Sequence, residues 1–174
     1  MKFLCLKVGE KYSSDVVNNL YYNLCKFSTH DIQLYCLTDD DKNINKNINI
    51  VYINKKDHWK KRQWHKTTFF RENFNNFKKG EEVIVCDIDI EILQNIDDII
   101  EYKFKYFIGS RRWWNLSHGQ LSGTLYKFRI GDFSWIDDLF CPYWEEYWVT
   151  NRLVLPPVNG EQKYVEYMVG NKIE

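Results

Sequence analysis

The chain has 174 residues, a length typical of one domain. Its 24 basic and 24 acidic side chains balance, and with a pI near 6.9 the whole molecule has no electrostatic reason to coat nucleic acid or an anionic membrane. Apolar residues make up 44% of the sequence and charged residues 28%, which is ordinary globular usage and excludes disordered, collagen-like and coiled-coil chains.

No apolar run approaches the roughly 20 residues that a membrane-spanning helix needs, and the N-terminus lacks the pattern of a signal peptide. We therefore expect a soluble protein of the cytoplasm. The cysteine count of five is odd, and Cys5, Cys36 and Cys86 lie in apolar runs where a thiol acts as a small hydrophobic group. Neither disulfides nor cysteine-bound zinc are expected.

The first half of the chain begins with a predicted strand and helix. Residues 2–8 form a short apolar run suited to a β-strand, and Ser13 or Ser14 is placed to cap the helix that follows. Further strands are predicted at 32–37 and 48–53, joined by a loop rich in Asn and Lys.

The second half of the chain continues the alternation of strands and helices. The spacing of the aromatic residues over 60–77 predicts a helix, and residues 83–86 are predicted to form the most buried strand. A short helix beginning at Ile96, strands at 104–108 and 121–128, and helical pieces over 133–149 interrupted by Pro142 complete the pattern. Strands that alternate with helices predict an α/β fold with a largely parallel sheet covered on both faces.

Polar clusters follow three of the predicted strands. They are Gly9, Glu10 and Lys11 after the first strand, Thr38, Asp39 and Asp40 after the second, and Asp87, Ile88 and Asp89 after the fourth. In open α/β sheets, ligands bind outside the carboxyl ends of the strands. We expect the three clusters to meet at one edge of the sheet.

Charge is segregated along the chain near the third cluster. Residues 55–79 carry nine Lys and Arg side chains, whereas residues 81–101 are mostly acidic. We expect a cationic helix to face the acidic end of the fourth strand. His58 and His65 lie within this basic segment and would contact phosphate when protonated.

The two aspartates after the fourth strand have two interpretations. Carboxylates at Asp87 and Asp89 can both reach one hard divalent ion, and such an ion neutralises a phosphate-bearing substrate. Mn²⁺ or Mg²⁺ is the natural choice. Alternatively, one of these aspartates merely caps the turn that follows the strand. The sequence pattern alone does not distinguish metal binding from turn capping by these aspartates.

Six blocks of the sequence resemble, in order, those of a GT-A-fold glycosyltransferase family found in large DNA viruses and bacteria. The blocks are VGEKYSSDVVNNLYYNL, LYCLTDD, HWKKRQWHKTTFF, VIVCDIDIEIL, SGTLYKF and NGEQKYV. The resemblance implies one GT-A-like domain over residues 1–174, with a nucleotide-binding half at about 1–92 and an acceptor-side half at about 93–174. It implies metal-dependent transfer of a sugar from a nucleotide-diphosphate donor, with uridine the expected base, to a hydroxyl acceptor on a glycan, protein or small molecule.

The resemblance also assigns residues. Those implied around the nucleotide and donor sugar are Val8, Gly9, Lys11, Tyr12, Thr38, Asp39, Asp40, Lys66, Asp87, Ile88, Ser122, Gly123 and Gln162. Asp87 and Asp89 are implied to hold Mn²⁺ or Mg²⁺, and Asp89 is counted with Glu161 among the catalytic residues. Glu161 would accept the acceptor's proton in an inverting reaction and would only position the sugar in a retaining one. A first-turn residue that favours the helix dipole is the alternative for Glu161.

The acceptor side matches the family less closely. His118 and Trp114 are candidate acceptor contacts, the tryptophan because aromatic rings stack on sugar faces. Many relatives supply a third metal ligand, often His, near the C-terminus, and no such residue is recognised here. Weak metal affinity is therefore expected.

Three other functions compete with glycosyl transfer. A haloacid-dehalogenase-type phosphatase also uses paired aspartates, but its motif lies near the start of the domain, and here about half the fold lies upstream. A nucleotidyltransferase uses an Asp pair with two metals but should show a Gly-rich phosphate loop, and none is evident. A catalytically silent sugar- or nucleotide-binding domain on the same scaffold stays open.

Overall fold

The computed structural model of the protein describes residues 1–111, 121–150 and 160–174. In these parts of the chain one mixed sheet contains six strands. They are β1 (Lys2–Lys7), β2 (Gln33–Thr38), β3 (Asn49–Tyr52), β4 (Glu82–Cys86), β5 (Ile108–Arg111) and β6 (Leu121–Arg129). The strand order is β3-β2-β1-β4-β6-β5. β1 to β4 run parallel, and β6 is antiparallel to both β4 and β5.

Short helices connect the strands. The α-helices are α1 (Ser14–Lys26), α2 (Asp97–Glu101), α3 (Trp135–Asp138), α4 (Pro142–Thr150) and α5 (Gly160–Val169). Single-turn and irregular 3-10 segments cover Lys55–Asp57, Arg62–Phe70, Phe74–Asn76 and Gly170–Lys172. Pro142 begins α4, because a proline tolerates the first helical position, where no N–H partner is needed. None of the described helices combines the length and apolar character required to cross a bilayer.

The predicted helix over residues 60–77 is wrong. Two 3-10 segments stand there instead, and Arg62, Asn75 and Asn76 have positive φ angles that an α-helix does not allow. All seven residues of 64–70 are buried, so the segment contacts protein on every side and has no solvent face. The aromatic spacing that predicted an amphipathic helix therefore reflects a buried connection.

The predicted strand at 104–108 is also misplaced, since β5 begins only at Ile108. Three carbonyl groups before it are satisfied by side chains rather than by a neighbouring strand. Arg129 donates to the carbonyl oxygens of Phe104 (3.0 Å) and Lys105 (3.1 Å), and Lys127 Nζ donates to that of Tyr102 (2.9 Å). This apolar run is therefore a connection fixed by two cations of β6.

The two faces of the sheet carry separate hydrophobic cores. Alternate residues of β4 point in opposite directions: Val83 and Val85 join one core, and Ile84 and Cys86 join the other. The first core packs beneath the 3-10 segments, α3 and α5, and the second packs beneath α1 and α2. Both faces are therefore covered, as the apolar strand runs predict.

Candidate functional site

The carboxyl ends of β1, β2 and β4 lie along one edge of the sheet, and the polar clusters meet there. Gly9 follows β1, and its backbone N–H donates to both carboxylate oxygens of Asp39 at 3.0 and 3.2 Å. Gly9 has a φ of +68°, a left-handed conformation that glycine adopts without steric cost. The first two clusters are therefore joined directly.

The Thr38 to Asp40 turn is held by buried groups. Thr38 is fully buried, and its Oγ1 donates to the carbonyl oxygen of Asp40 (2.9 Å) and accepts from the Asp40 N–H (3.1 Å). Lys7 Nζ donates to the same carbonyl oxygen at 3.3 Å. Because these bonds use backbone atoms of the turn, they fix it while the Asp39 and Asp40 side chains stay exposed.

A group of three side chains, of which Lys11 and Asp89 are exposed and Tyr12 is half-buried, joins the loop after β1 to the loop after β4. Tyr12 donates its hydroxyl proton to Asp89 Oδ2 at 2.5 Å. Lys11 Nζ donates to the Tyr12 oxygen at 2.6 Å and lies 4.4 Å from the ring centroid. The hydrogen bond to Tyr12 raises the pKa of Lys11.

Lys66 is the buried cation of the site. It lies on the Arg62–Phe70 segment, and its Nζ donates to an Asp87 carboxylate oxygen and to the Gly123 carbonyl oxygen (3.2 Å). Glu161 Oε2 lies 4.0 Å from the same nitrogen. Burial lowers the pKa of Lys66, but the two carboxylates outweigh it, so the net pKa is above its ordinary value and the side chain stays charged.

The antiparallel pairing of β4 with β6 brings Gly123 to Asp87. Cys86 pairs with Leu125, and the Asp87 N–H continues the ladder to the Thr124 carbonyl oxygen at 3.0 Å. A Cβ atom on Gly123 would come within 2.3 Å of Gln162 Nε2. Glycine is therefore needed for α5 to pack closely against this strand.

Glu161 lies in the first turn of α5 and is 1% exposed. Its Oε1 accepts a hydrogen bond from the Tyr126 hydroxyl at 3.3 Å. Burial raises the pKa of Glu161 to about 7, and the Asp87 charge adds to the rise, whereas Lys66 and Tyr126 oppose it. Glu161 therefore gains or loses a proton near neutral pH, as a general base or acid must.

The remaining predicted site residues lie in different surroundings. Ser122 is buried, with its Oγ 2.7 Å from Thr124 Oγ1, and Val8 is half-buried at the edge. Ile88 is buried in the core beneath α1, which favours a supporting role for it between the two aspartates. The candidate acceptor residues His118 and Trp114 lie outside the described residues.

The expectation of a cationic helix facing the end of β4 holds only for Lys66, which pairs with Asp87, because Lys60 and Arg71 of the same segment bind elsewhere. Arg71 makes two hydrogen bonds to Asp57 and one to Asp137, and Lys60 pairs with Asp137. Only Lys66 among these three faces the end of β4. Neither this network nor Tyr126 as the hydrogen-bond partner of Glu161 was predicted from the sequence.

The predicted phosphate contact by protonated His65 is also wrong. His65 is 5% exposed, and burial, with Lys60 adding to it, lowers its pKa to about 4. The imidazole is therefore neutral at pH 7. His58 lies exposed on the same connection.

Two carboxylates are available for a metal. Within the described part of the chain, no three His, Cys, Asp or Glu side chains form a group able to hold a cation. Asp87 and Asp89 offer hard oxygen ligands, and Mg²⁺ is commonly held by one or two carboxylates together with substrate phosphates. The donor chemistry therefore fits a divalent cation whose remaining ligands come from a diphosphate.

The fold is that of the GT-A glycosyltransferases. GlyE of Streptococcus pneumoniae TIGR4 superposes with a TM-score of 0.62 at 10% identity, over 99% of this chain and 44% of GlyE. The galactosyltransferase LgtC, solved with donor and acceptor sugar analogues, gives a TM-score of 0.62 at 10% identity, over 99% of this chain and 72% of LgtC. This chain thus spans less than half of GlyE. No protein family and no curated protein matches the sequence.

Proposed function

We propose that the protein is a glycosyltransferase that moves a sugar from a nucleotide-diphosphate donor, a UDP-sugar, to a hydroxyl acceptor on a glycan, protein or small molecule. The observation that carries the proposal is the group of buried Lys66, half-buried Asp87 and buried Glu161 at the carboxyl edge of a GT-A-type sheet. LgtC, which shares the fold, has been solved with donor and acceptor sugar analogues.

Lys66 is proposed to bind the diphosphate. It is a permanent cation held at a fixed place by Asp87 and the Gly123 carbonyl oxygen. Asp87 and Asp89 would hold Mn²⁺ or Mg²⁺. When bound, this cation supplies positive charge that stabilises the departing diphosphate as negative charge grows on its oxygens.

The nucleoside is proposed to lie against the loops after β1 and β2. Val8, Gly9, Lys11 and Tyr12 come from the first loop, and Thr38, Asp39 and Asp40 from the second. The exposed carboxylates of Asp39 and Asp40 are hydrogen-bond acceptors suited to ribose or base N–H and O–H groups. Residues 1–92 would therefore form most of the donor site and residues 93–174 the acceptor side.

Glu161 is proposed to face the reacting sugar, next to Ser122, Gly123 and Gln162. In an inverting reaction its carboxylate accepts the proton of the acceptor hydroxyl, for which a pKa of about 7 is suitable. In a retaining reaction the same side chain positions the donor sugar. The anomeric configuration of the product distinguishes these two roles.

The test is transfer from a panel of UDP- and GDP-sugars to a panel of hydroxyl acceptors with Mn²⁺, with the glycosylated product and the released nucleotide both measured. We expect transfer from at least one UDP-sugar. Absence of transfer from every donor, together with phosphate release from a generic monoester, would support the phosphatase instead.

A Lys66→Met variant tests the diphosphate site separately. We expect it to weaken UDP binding far more than uridine binding, because uridine lacks the phosphates that Lys66 would contact. The matched control is Lys61→Met, which removes an exposed lysine of the same connection. Equal losses for UDP and uridine would show that Lys66 does not bind the diphosphate.

A further inference from the structure

The segment that carries Lys66 is irregular and buried. It is the 3-10 segment Arg62–Phe70, nine residues long, and all of its residues from Trp64 onward are buried. A 3-10 helix has poorer hydrogen-bond geometry than an α-helix and is uncommon beyond about four residues. The segment therefore depends on tertiary contacts for its position, and the position of Lys66 depends on the same contacts.

One carboxylate, that of Asp137 on α3, binds both ends of this segment. Lys60 lies two residues before the segment, and its Nζ donates to Asp137 Oδ1. Arg71 follows the segment directly, and its Nε donates to Asp137 Oδ2 at 2.5 Å. A single side chain thus joins the two ends.

The same carboxylate reaches the residue next to Lys66. Thr67 Oγ1 lies 2.8 Å from Asp137 Oδ1 and 3.1 Å from the Trp64 carbonyl oxygen. The carboxylate is the nearer acceptor and, because it is charged, the stronger one for the hydroxyl proton. Thr67 and Asp137 are both buried, so water does not compete for this contact.

The charges of this buried group balance. Asp57 accepts two hydrogen bonds from Arg71 and lies 3.7 Å from Lys60 Nζ, so that two carboxylates face two cations. Burial raises the pKa of Asp137, but Lys60 and Arg71 outweigh it, so the net pKa lies below its ordinary value and the carboxylate stays ionised. Buried ion pairs add little net stability, because desolvation offsets their attraction. Their geometric effect is to favour one arrangement of the chain.

α3 is itself anchored to α5, the helix that carries Glu161. Trp135 Nε1 donates to a backbone carbonyl oxygen of α5 at 3.1 Å, and the Tyr164 hydroxyl of α5 donates to the Ile136 carbonyl oxygen at 2.9 Å. The next residue along α3 is Asp137. Three consecutive residues of one short helix therefore connect the two elements that carry the buried cation and the buried carboxylate of the site.

We propose that Asp137 is a positioning residue, which holds Lys66 at the place where its ammonium group contacts the donor's diphosphate. This role rests on the proposed function, in which Lys66 binds the diphosphate. The hydrogen bonds of Asp137 go to Lys60, Thr67 and Arg71, so it acts through the segment and does not touch a ligand. Without its charge, two cations face one carboxylate, the ends of the segment separate and Lys66 leaves its place.

Acetylation of lysines by N-acetoxysuccinimide tests the position of Lys66 without any ligand, with the rate at each lysine measured by mass spectrometry of peptides. Asp137→Asn keeps the shape of the side chain and removes its charge. Lys66 is 6% exposed, and in this variant its acetylation should be about tenfold faster, because charged hydrogen bonds that hold its segment are lost.

Lys127 is the internal reference for this measurement, because it is fully buried and belongs to β6 rather than to the segment. Unfolding of the whole chain would speed acetylation of both lysines, whereas release of the segment speeds only that of Lys66. The matched control is Asp138→Asn, which alters an exposed carboxylate of the same helix and should change neither rate.

Binding of UDP and uridine in Mn²⁺ tests the consequence for the site. Asp137→Asn should weaken UDP binding about tenfold and leave uridine binding unchanged, because Lys66 would contact only the phosphates. In a Lys66→Met background, Asp137→Asn should have no further effect on UDP affinity. This dependence on Lys66 distinguishes positioning from a general loss of structure.

Thr67 supplies a second pair of variants that leaves all the charges in place. Thr67→Val keeps the shape of the side chain but removes its bond to Asp137, so it should speed acetylation of Lys66 and weaken UDP binding, each by less than Asp137→Asn. Thr67→Ser keeps the hydroxyl and should behave as the wild type does. This pair applies even if Asp137→Asn does not fold.

The positioning role is overturned if Lys66 is acetylated at the wild-type rate in Asp137→Asn and Thr67→Val, or if the rates of Lys66 and Lys127 rise together. It is also overturned if Asp137→Asn weakens UDP binding equally with and without Lys66.

Two outcomes separate this role from the proposed function. Faster acetylation of Lys66 alone, in a protein that binds no UDP, supports the hold of Asp137 on Lys66 and contradicts the transferase. UDP binding that depends on Lys66 but not on Asp137, with unchanged acetylation, supports the transferase and contradicts the positioning role.

Discussion

Replacing Glu161 with glutamine should change how stability depends on pH. In the unfolded chain a glutamate loses its proton near pH 4.5, whereas burial in the folded protein raises the pKa of Glu161 to about 7. Between these values the folded state binds more protons than the unfolded state, so the free energy of unfolding falls as pH rises. Glutamine stays neutral throughout and removes this contribution.

The size of the effect follows from the difference in pKa. From 4.5 to about 7 is about 2.5 units, which corresponds to about 3 kcal/mol. Between pH 4 and pH 8, the stability of Glu161→Gln relative to wild type should therefore rise by about 3 kcal/mol. In a chain of this length the same change moves the relative melting temperature by about 6–12 °C.

Urea denaturation across this pH range, with EDTA present, measures the effect. Glu146→Gln is the matched control, because Glu146 is exposed on α4 and its replacement should leave the pH profile parallel to wild type. Parallel profiles for Glu161→Gln and wild type would contradict this prediction, since they would mean that the Glu161 carboxyl ionises as it does in water.

Two further predictions concern the supports of the fold. Lys127 is fully buried, and its Nζ donates to the carbonyl oxygens of Ile99 and Ile100 at the end of α2. Lys127→Met should lower the free energy of unfolding, measured by urea denaturation, by about 3 kcal/mol and should speed amide hydrogen exchange after α2. An unchanged free energy of unfolding would contradict this prediction. The hydrogen bonds of Asp97, led by that from Ser28, hold its pKa well below the usual range. The stability that Asp97 contributes is present above pH 3.8 and lost as pH falls. The difference in free energy of unfolding between wild type and Asp97→Asn should therefore shrink in acid. A difference that stays constant with pH would contradict this prediction.

The sheet was predictable because its strands are apolar on both faces. Continuous apolar runs such as 83–86 mark strands buried between two cores, and the observed bounds of β1 to β4 lie within about a residue of those predicted. The meeting of the three polar clusters at one edge of the sheet followed from the same reasoning, since the carboxyl ends of parallel strands share an edge.

The 3-10 connection was not predictable, because its partners are distant in sequence. In the sequence, Lys60 and Arg71 resemble surface charges. Their partner Asp137 lies 77 residues after Lys60 and 66 residues after Arg71, and only the fold brings it beside them. Similarly, the pKa of Glu161 is raised by its burial and by Asp87 and is lowered by Lys66, and none of these effects is visible in a local sequence pattern.

Calorimetric titration of UDP, with and without Mn²⁺, tests the proposed donor site most directly. We expect UDP binding that requires Mn²⁺ and that Asp89→Asn weakens. Because Asp89 is exposed, the melting temperature of this variant without metal should stay close to that of wild type. UDP binding that is equal in both proteins and indifferent to Mn²⁺ would contradict the proposed donor site.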